Sequence, residues 1–349
     1  MNIHIIDSVK GGAGKSTFAC KLAISLLHNE IKPELMEDDS FNRSGNTSTG
    51  KKVCIIDVDL LGTSWEYTFE NAFLEKEQTG VYSKIYLNDL IMDFKHYKKF
   101  SFVQKIEIKS IDGRDILDVI ICNPSQPAKN RFVVSSETTV PDIQLDQFSN
   151  TISELLKLLE EIGYEDIIFD MPPNTDPYSD TIIKKYLKYP QSPQKYTTFL
   201  YFVSTLDIAH IKSTMEWYHN FLFAFLSMKT ENKSRTLPEG ICDSQEKSKW
   251  LNDNTHKLFV VLNDNYGLED FSASFRQLNT FAMLNHQLNE DEMKEFAYLF
   301  IKYDNALSVS KIDMLTPEQK KGVTMMQNFK LEEFVTFEEI KQTNFITCN

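Results

Sequence analysis

The stretch Asp7-Ser8-Val9-Lys10-Gly11-Gly12-Ala13-Gly14-Lys15-Ser16-Thr17 constrains this chain more than any other part of it. It follows a short apolar run, Ile3 to Ile6. It opens a segment, Phe18 to Leu27, whose apolar residues recur at helical spacing. In the order strand, glycine-rich loop, helix, successive backbone N–H groups can turn inward around an anion while the helix N-terminus adds partial positive charge. Gly11, Gly12, Ala13 and Gly14 form the turn. Lys15 is spaced to reach β- and γ-phosphates, Ser16 to ligate Mg²⁺, and Thr17 to hold the phosphates beside them. The bland alternative is a glycine-rich turn that precedes a helix by coincidence. With usual residue frequencies, Lys-Gly-Gly-x-Gly-Lys-Ser/Thr arises on the order of once in 10⁴ chains of this length. A nucleotide site is therefore expected.

Two acidic strand ends belong with the loop. Val53-Cys54-Ile55-Ile56-Asp57-Val58-Asp59 is a fully apolar run that ends in paired acids, the pattern of a parallel strand covered on both faces. Tyr164-Glu165-Asp166-Ile167-Ile168-Phe169-Asp170-Met171-Pro172-Pro173 delivers a second carboxylate, Asp170, to a strand end, and its two prolines fix the exit. Strand C-terminal ends are where α/β sheets bind ligands, and a carboxylate there can hold part of a Mg²⁺ shell.

The loop departs from the standard phosphate-loop pattern in one respect. Val9 stands where the first glycine usually does, and a second lysine, Lys10, follows it. This resembles the deviant Walker A loop of the ParA/MinD-type ATPases, within the signal-recognition/MinD class of P-loop NTPases. Asp57-Val58-Asp59-Leu60-Leu61-Gly62 resembles the family's switch I segment, with leucines in place of its proline and glutamine. Asp170-Met171-Pro172-Pro173 resembles its Walker B/switch II motif. The resemblance implies ATP and Mg²⁺ as ligands, slow hydrolysis, and an ATP-dependent homodimer in which Lys10 reaches the partner's nucleotide. Lys10, Lys15, Asp57 and Asp59 become the catalytic candidates, Asp59 as partner of the attacking water, with Ser16 and Asp170 as metal residues. Lys257 to Asn263 reads as a strand, and the resemblance makes Asn263 the adenine contact.

The rest of the chain is read to match. One doubly wound α/β domain over 1–349 is expected, its mostly parallel sheet flanked by helices on both faces. Polar surface insertions are expected at about 32–50 and 228–256. Strand 1 is placed at 3–7, helix 1 at 15–29 and helices over 65–99. Lys105–Ile111 and Ile116–Cys122 read as a hairpin turning at Asp112-Gly113, its second arm a central-strand candidate. A helix over 143–161 and a strand over 197–204 follow, and an apolar helix is placed at 207–226. The C-terminal part, 266–349, reads as mostly helical, with helices at roughly 289–303 and 316–334. Lysines and tyrosines interleave over 184–196, which suits phosphate or acidic-partner contact, although an ordinary solvated helix face is the better-supported reading.

Composition narrows the biology. The chain has 349 residues and a formal net charge of −13, which opposes non-specific attraction to DNA or anionic lipid. Its five cysteines, Cys20, Cys54, Cys122, Cys242 and Cys348, form no Cys-x-x-Cys pair, so an iron–sulfur site is not expected. The first strand leaves no room for a signal peptide and no apolar run approaches a membrane span, so a cytoplasmic protein without a membrane anchor is expected. The final stretch, Leu331–Ile340, is amphipathic but acidic, unlike a lipid-surface helix. Three tasks remain open: an ATPase that partitions or positions DNA or protein cargo under a stimulating protein, a regulatory switch of a mobile-element or defence module that docks a protein effector without DNA, and a metabolic ligase or kinase.

Overall fold

A computed structural model describes residues 1–27, 51–60, 84–99, 101–110, 113–123, 142–173, 177–186, 196–205, 258–263, 297–301 and 333–336, together with 65, 66, 69, 73, 74, 209, 210, 213 and 214. The strands are β1 (Asn2–Asp7), β2 (Val53–Asp57), β3 (Gln104–Ser110), β4 (Gly113–Ile120), β5 (Asp166–Asp170), β6 (Thr197–Thr205), β7 (Leu258–Asn263), β8 (Ala297–Ile301) and β9 (Glu333–Thr336). The helices are α1 (Lys15–Leu27), α2 (Leu87–Met92), α3 (Phe94–Tyr97), α4 (Asp142–Glu161) and α5 (Pro177–Tyr186).

All nine strands join one sheet in the order β3-β4-β2-β5-β1-β6-β7-β8-β9. The run from β4 to β8 is parallel throughout, and β3 and β9 close the two edges antiparallel. Successive side chains of the central strands enter opposite cores. Ile167 and Phe169 pack with α2, α4 and α5 on one face, while Ile168 packs with α1 residues Phe18, Leu22 and Ala23 on the other. This double coverage explains why the strands are apolar without alternation. The fold is a doubly wound, mostly parallel α/β sheet of the P-loop NTPase type.

Helix α4 stops where its sequence tells it to. The N–H of Gly163 bonds the Glu160 carbonyl at 3.0 Å and the N–H of Tyr164 bonds the Leu159 carbonyl at 3.0 Å. Gly163 sits at φ 91°, a left-handed cap that favours glycine. The chain then enters β5, whose first residue, Asp166, is held at the end of the sheet remote from the loop. There Asp166 Oδ1 accepts bonds from His4 Nε2 (3.0 Å) and Asn2 Nδ2 (2.8 Å), and Tyr201 Oη lies 3.0 Å from His4 Nδ1.

Several expectations change. Residues 297–301 form β8 rather than part of a helix, and 333–336 form β9. The run Ala-Tyr-Leu-Phe-Ile is short, apolar and aromatic, so helix and strand periods are indistinguishable in it. Parallel pairing with β7 decides the matter. Within 65–99, Phe73 bridges antiparallel to Ile106, and helix is confined among the described residues to 65–66, α2 and α3. The hairpin pairs Ser110 with Gly113, one residue earlier than an Asp-Gly turn requires, and β4 is next to the edge rather than central. Residues 209–210 and 213–214 are helical as expected. The insertions at 32–50 and 228–256, most of the C-terminal part, Leu187–Lys195, Cys242 and Cys348 lie outside the described residues.

Candidate nucleotide and metal site

The loop between β1 and α1 begins with its own small network. The Ser8 N–H donates to Asp7 Oδ1 at 2.7 Å. The Ser8 hydroxyl donates to the Lys10 carbonyl at 2.9 Å and accepts from Lys15 Nζ at 2.9 Å. Ser8 therefore ties the turn to the lysine that must extend across it. Two glycines have left-handed backbone: Gly12 at φ 78° and Gly14 at φ 92°. A side chain at Gly12 would meet nothing within 4 Å, so its requirement is conformational, of the kind that costs an L-residue roughly 1–2 kcal/mol. Gly11 has neither constraint, since an added Cβ would meet only Pro173 at ordinary contact distance, 3.9 Å. Ala13 is buried, and α1 starts at Lys15 with the Phe18 N–H bonding the Gly14 carbonyl at 2.9 Å. Thr17 follows on its first turn.

The sheet brings Asp170 to this helix start. Ser16 Oγ donates to Asp170 Oδ2 at 2.6 Å across 154 residues of sequence. The same oxygen accepts from Trp65 Nε1 at 2.6 Å. Asp170 Oδ1 is buried with no hydrogen-bond partner among the described residues. Burial raises the Asp170 carboxyl above its ordinary pKa; the Lys15 charge and the bonds from Ser16 and Trp65 oppose the rise, and Asp59 adds to it.

Asp57 is its neighbour in register on β2. Burial, then the Asp170 charge, push Asp57 well above the usual carboxylate range, against the pull of the Asp59 N–H. That N–H donates to Asp57 Oδ1 at 3.0 Å, so Asp57 shapes the turn that presents Asp59. Asp59 itself is only half-buried. Beyond it, Cys122 Sγ lies 3.1 Å from the Asp57 carbonyl, and burial raises this thiol and those of Cys20 and Cys54. These three are free, buried core thiols.

The residues present fit Mg²⁺ with a nucleotide. The Ser16 hydroxyl and the Asp170 carboxylate, whose Oδ1 has no partner among the described residues, form a sparse, all-oxygen donor set. Mg²⁺ suits such a set because it fills most of its shell with water and phosphate oxygens. No cluster of three or more His, Cys, Asp or Glu able to hold a metal occurs among the described residues.

Two expected residues stand apart from this cluster. Lys10 Nζ donates to the carbonyl of Ala209 at 3.4 Å within its own chain. Asn263 ends β7, paired with Thr205 and Ile301. In the basic-aromatic run, Lys185 Nζ donates to Ser149 O (2.8 Å) and Ser149 Oγ (2.7 Å). Tyr186 and Tyr196 pack against the core beside Phe169. Among its described side chains, this run is tied into the fold. Sequence reading missed Ser8 and Trp65. Ser8 lay inside the motif and could have been suspected from its hydroxyl; Trp65 carried no signal beyond lying a few residues after Asp59.

Comparison of the sequence with family models and with curated proteins gives no match. Solved structures do resemble it. The cell division ATPase MinD of Pyrococcus furiosus is 14% identical, with 98% of this chain and 99% of that one covered and a TM-score of 0.46. The Cyanothece McdA(D38A)–ATP complex is 14% identical over 100% and 98%, also at 0.46. A putative plasmid partition protein from Borrelia burgdorferi bound to AMPPNP is 17% identical over 99% and 95%, at 0.43. The structural neighbours are MinD- and ParA-family ATPases. The fold rests on the strand order and loop geometry of the chain itself.

Proposed function

We propose that this chain is an ATP-hydrolysing switch of the ParA/MinD kind, which closes into a homodimer around Mg-ATP and opens after hydrolysis. The observation that supports it best is the Ser16–Asp170 bond at 2.6 Å, which joins the phosphate loop to a buried strand-end carboxylate. In this reading, the N–H groups of Gly11, Gly12, Ala13 and Gly14, with Lys15 and Thr17, bind the phosphates. Ser16 keeps a lone pair for Mg²⁺ while its hydroxyl donates to Asp170. The ion, when bound, neutralises phosphate charge. Asp59 orients the attacking water from a turn that Asp57 holds. Asn263 meets the base. Phosphoryl transfer asks for positioning and charge neutralisation, and these groups supply both.

Lys10 carries the dimer. Lys15 already serves its own nucleotide, so Lys10 leaves the Ala209 carbonyl and reaches the partner's phosphates. In an isologous interface that contact occurs twice. The cargo is assigned to partition or positioning under a stimulating protein. A net charge of −13 also favours a second reading, a switch that docks a protein effector without DNA.

The test is light scattering on Asp59→Ala with and without Mg-ATP, repeated with Lys10→Ala added. Asp59→Ala should bind Mg-ATP, lose turnover and dimerise in ATP but not ADP; adding Lys10→Ala should abolish the dimer while ATP still binds. A mass independent of nucleotide, or normal dimerisation without Lys10, refutes the sandwich. Salt-sensitive DNA binding in ATP alone would separate the two cargo readings.

A further inference from the structure

Trp65 is buried completely, its ring 4.8 Å from that of Phe69. Its only hydrogen-bonding group, Nε1–H, ends on a buried carboxylate. An indole needs one acceptor when buried, and a backbone carbonyl would serve. Here the acceptor is Asp170 Oδ2, the atom that also accepts the hydrogen bond from the Ser16 hydroxyl. Two donors on one oxygen fix the carboxylate plane. They leave Oδ1 buried and, among the described residues, unpartnered, the oxygen of this carboxylate still able to meet a cation or a cation-bound water.

We propose that Trp65 is a positioning residue for divalent-metal binding, holding Asp170 so that Oδ1 faces the metal shell; this rests on the nucleotide reading above. Trp65 touches neither phosphate nor metal. It acts by limiting rotation of Asp170 about its Cβ–Cγ bond, which Ser16 alone, a rotatable hydroxyl, does not limit. It also anchors the chain that follows Asp57 and Asp59 to the strand that carries Asp170, so both acidic ends of the site share one fixed point.

The test is a Mg²⁺ titration of fluorescent ATP-analogue binding to wild type and Trp65→Phe. Nucleotide affinity is measured separately in EDTA, and folding is checked by thermal melting. Loss of a group that orients a metal-holding residue typically weakens metal affinity by about 10- to 100-fold. The Mg²⁺ requirement of Trp65→Phe should rise by that order, with EDTA-state affinity unchanged. Phe69→Leu, which disturbs the ring packing but keeps the indole donor, should leave the Mg²⁺ requirement near wild type. If Trp65→Phe does not fold, the wild-type indole N–H is followed by ¹⁵N NMR, assigned by elimination with Trp217→Phe and Trp250→Phe. It should shift on adding Mg²⁺ to the nucleotide-loaded protein and stay in place on nucleotide alone. An unchanged Mg²⁺ requirement in folded Trp65→Phe, an equal loss in Phe69→Leu, or an indole signal blind to Mg²⁺ overturns the proposal while leaving nucleotide binding intact. Absence of any nucleotide binding by wild type overturns the underlying reading and this inference with it.

Discussion

Lys15→Ala separates the site from the scaffold. Lys15 is buried and its Nζ bonds Ser8 Oγ at 2.9 Å. In the proposed complex, that ammonium would exchange a neutral hydroxyl for two phosphate oxygens. Hydrogen bonds to charged groups contribute about 1.5–3 kcal/mol each. Losing two costs about 3–6 kcal/mol, or about 10²- to 10⁴-fold in affinity. The nucleotide-free fold should suffer little, because Ser8 still donates to the Lys10 carbonyl and no buried donor is orphaned. Asp170 loses the charge that opposes its burial, so its carboxyl should rise further. The assay is titration of a fluorescent ATP analogue with Mg²⁺ present, beside a melting curve without nucleotide. Affinity within a factor of about three of wild type would refute the cradle. Equal losses of melting temperature and affinity would show that Lys15 holds the fold and not the ligand.

Two further outcomes follow from bonds away from the loop. Asp166→Ala leaves His4 Nε2 unpaired in the interior and removes the bond from the half-buried Asn2. At about 1–3 kcal/mol for the buried group left unpaired and about 2.1 cal/mol/K of unfolding entropy per residue, it should lower the melting temperature by about 1–4 °C, with ATP affinity unchanged. Burial alone would raise Asp166, but the bonds from His4 and Asn2 and the Lys51 charge hold it below its ordinary value. Its stabilisation is then full above about pH 4 and lost as pH falls through the depressed value, so wild type and variant should converge in acid melts. Lys185→Glu should cost about 1 kcal/mol of stability through the lost bonds to Ser149 but leave partner or DNA binding intact; a selective loss of binding in a stable Lys185→Glu would return that run to a contact role.

Legibility tracked sequence distance. The loop was readable because its chemistry is local: Gly12 and Gly14 take the backbone that only glycine takes freely, and Lys15 follows within the same turn. Asp57 and Asp170 were readable because long apolar strands end in acids, and the sheet places them in register. Trp65 was not, since its bond to Asp170 spans 105 residues and any buried acceptor would have satisfied an indole. Likewise nothing local in Ala297–Ile301 distinguishes a strand from a buried helix turn. Its place beside β7 does.

The site sits where it does for an electrostatic reason. Parallel strands deliver side chains at the same height, so β2 and β5 set Asp57 and Asp170 beside each other, both buried. Burying carboxylates is unfavourable: desolvation first, then the Asp170 charge at Asp57 and the Asp59 charge at Asp170, drive each carboxyl above its ordinary range. A fold under selection for stability alone would place apolar residues there. Lys15 and the α1 N-terminus offset part of that cost without a ligand, the Asp59 and Cys122 N–H groups bond Asp57, and Ser16 and Trp65 share one oxygen of Asp170. What remains is an acceptor-rich, cation-poor spot at the lip of a phosphate loop. Such a spot gains most from a cation that arrives with its own anion, the combination that Mg²⁺ carried on a nucleotide triphosphate provides.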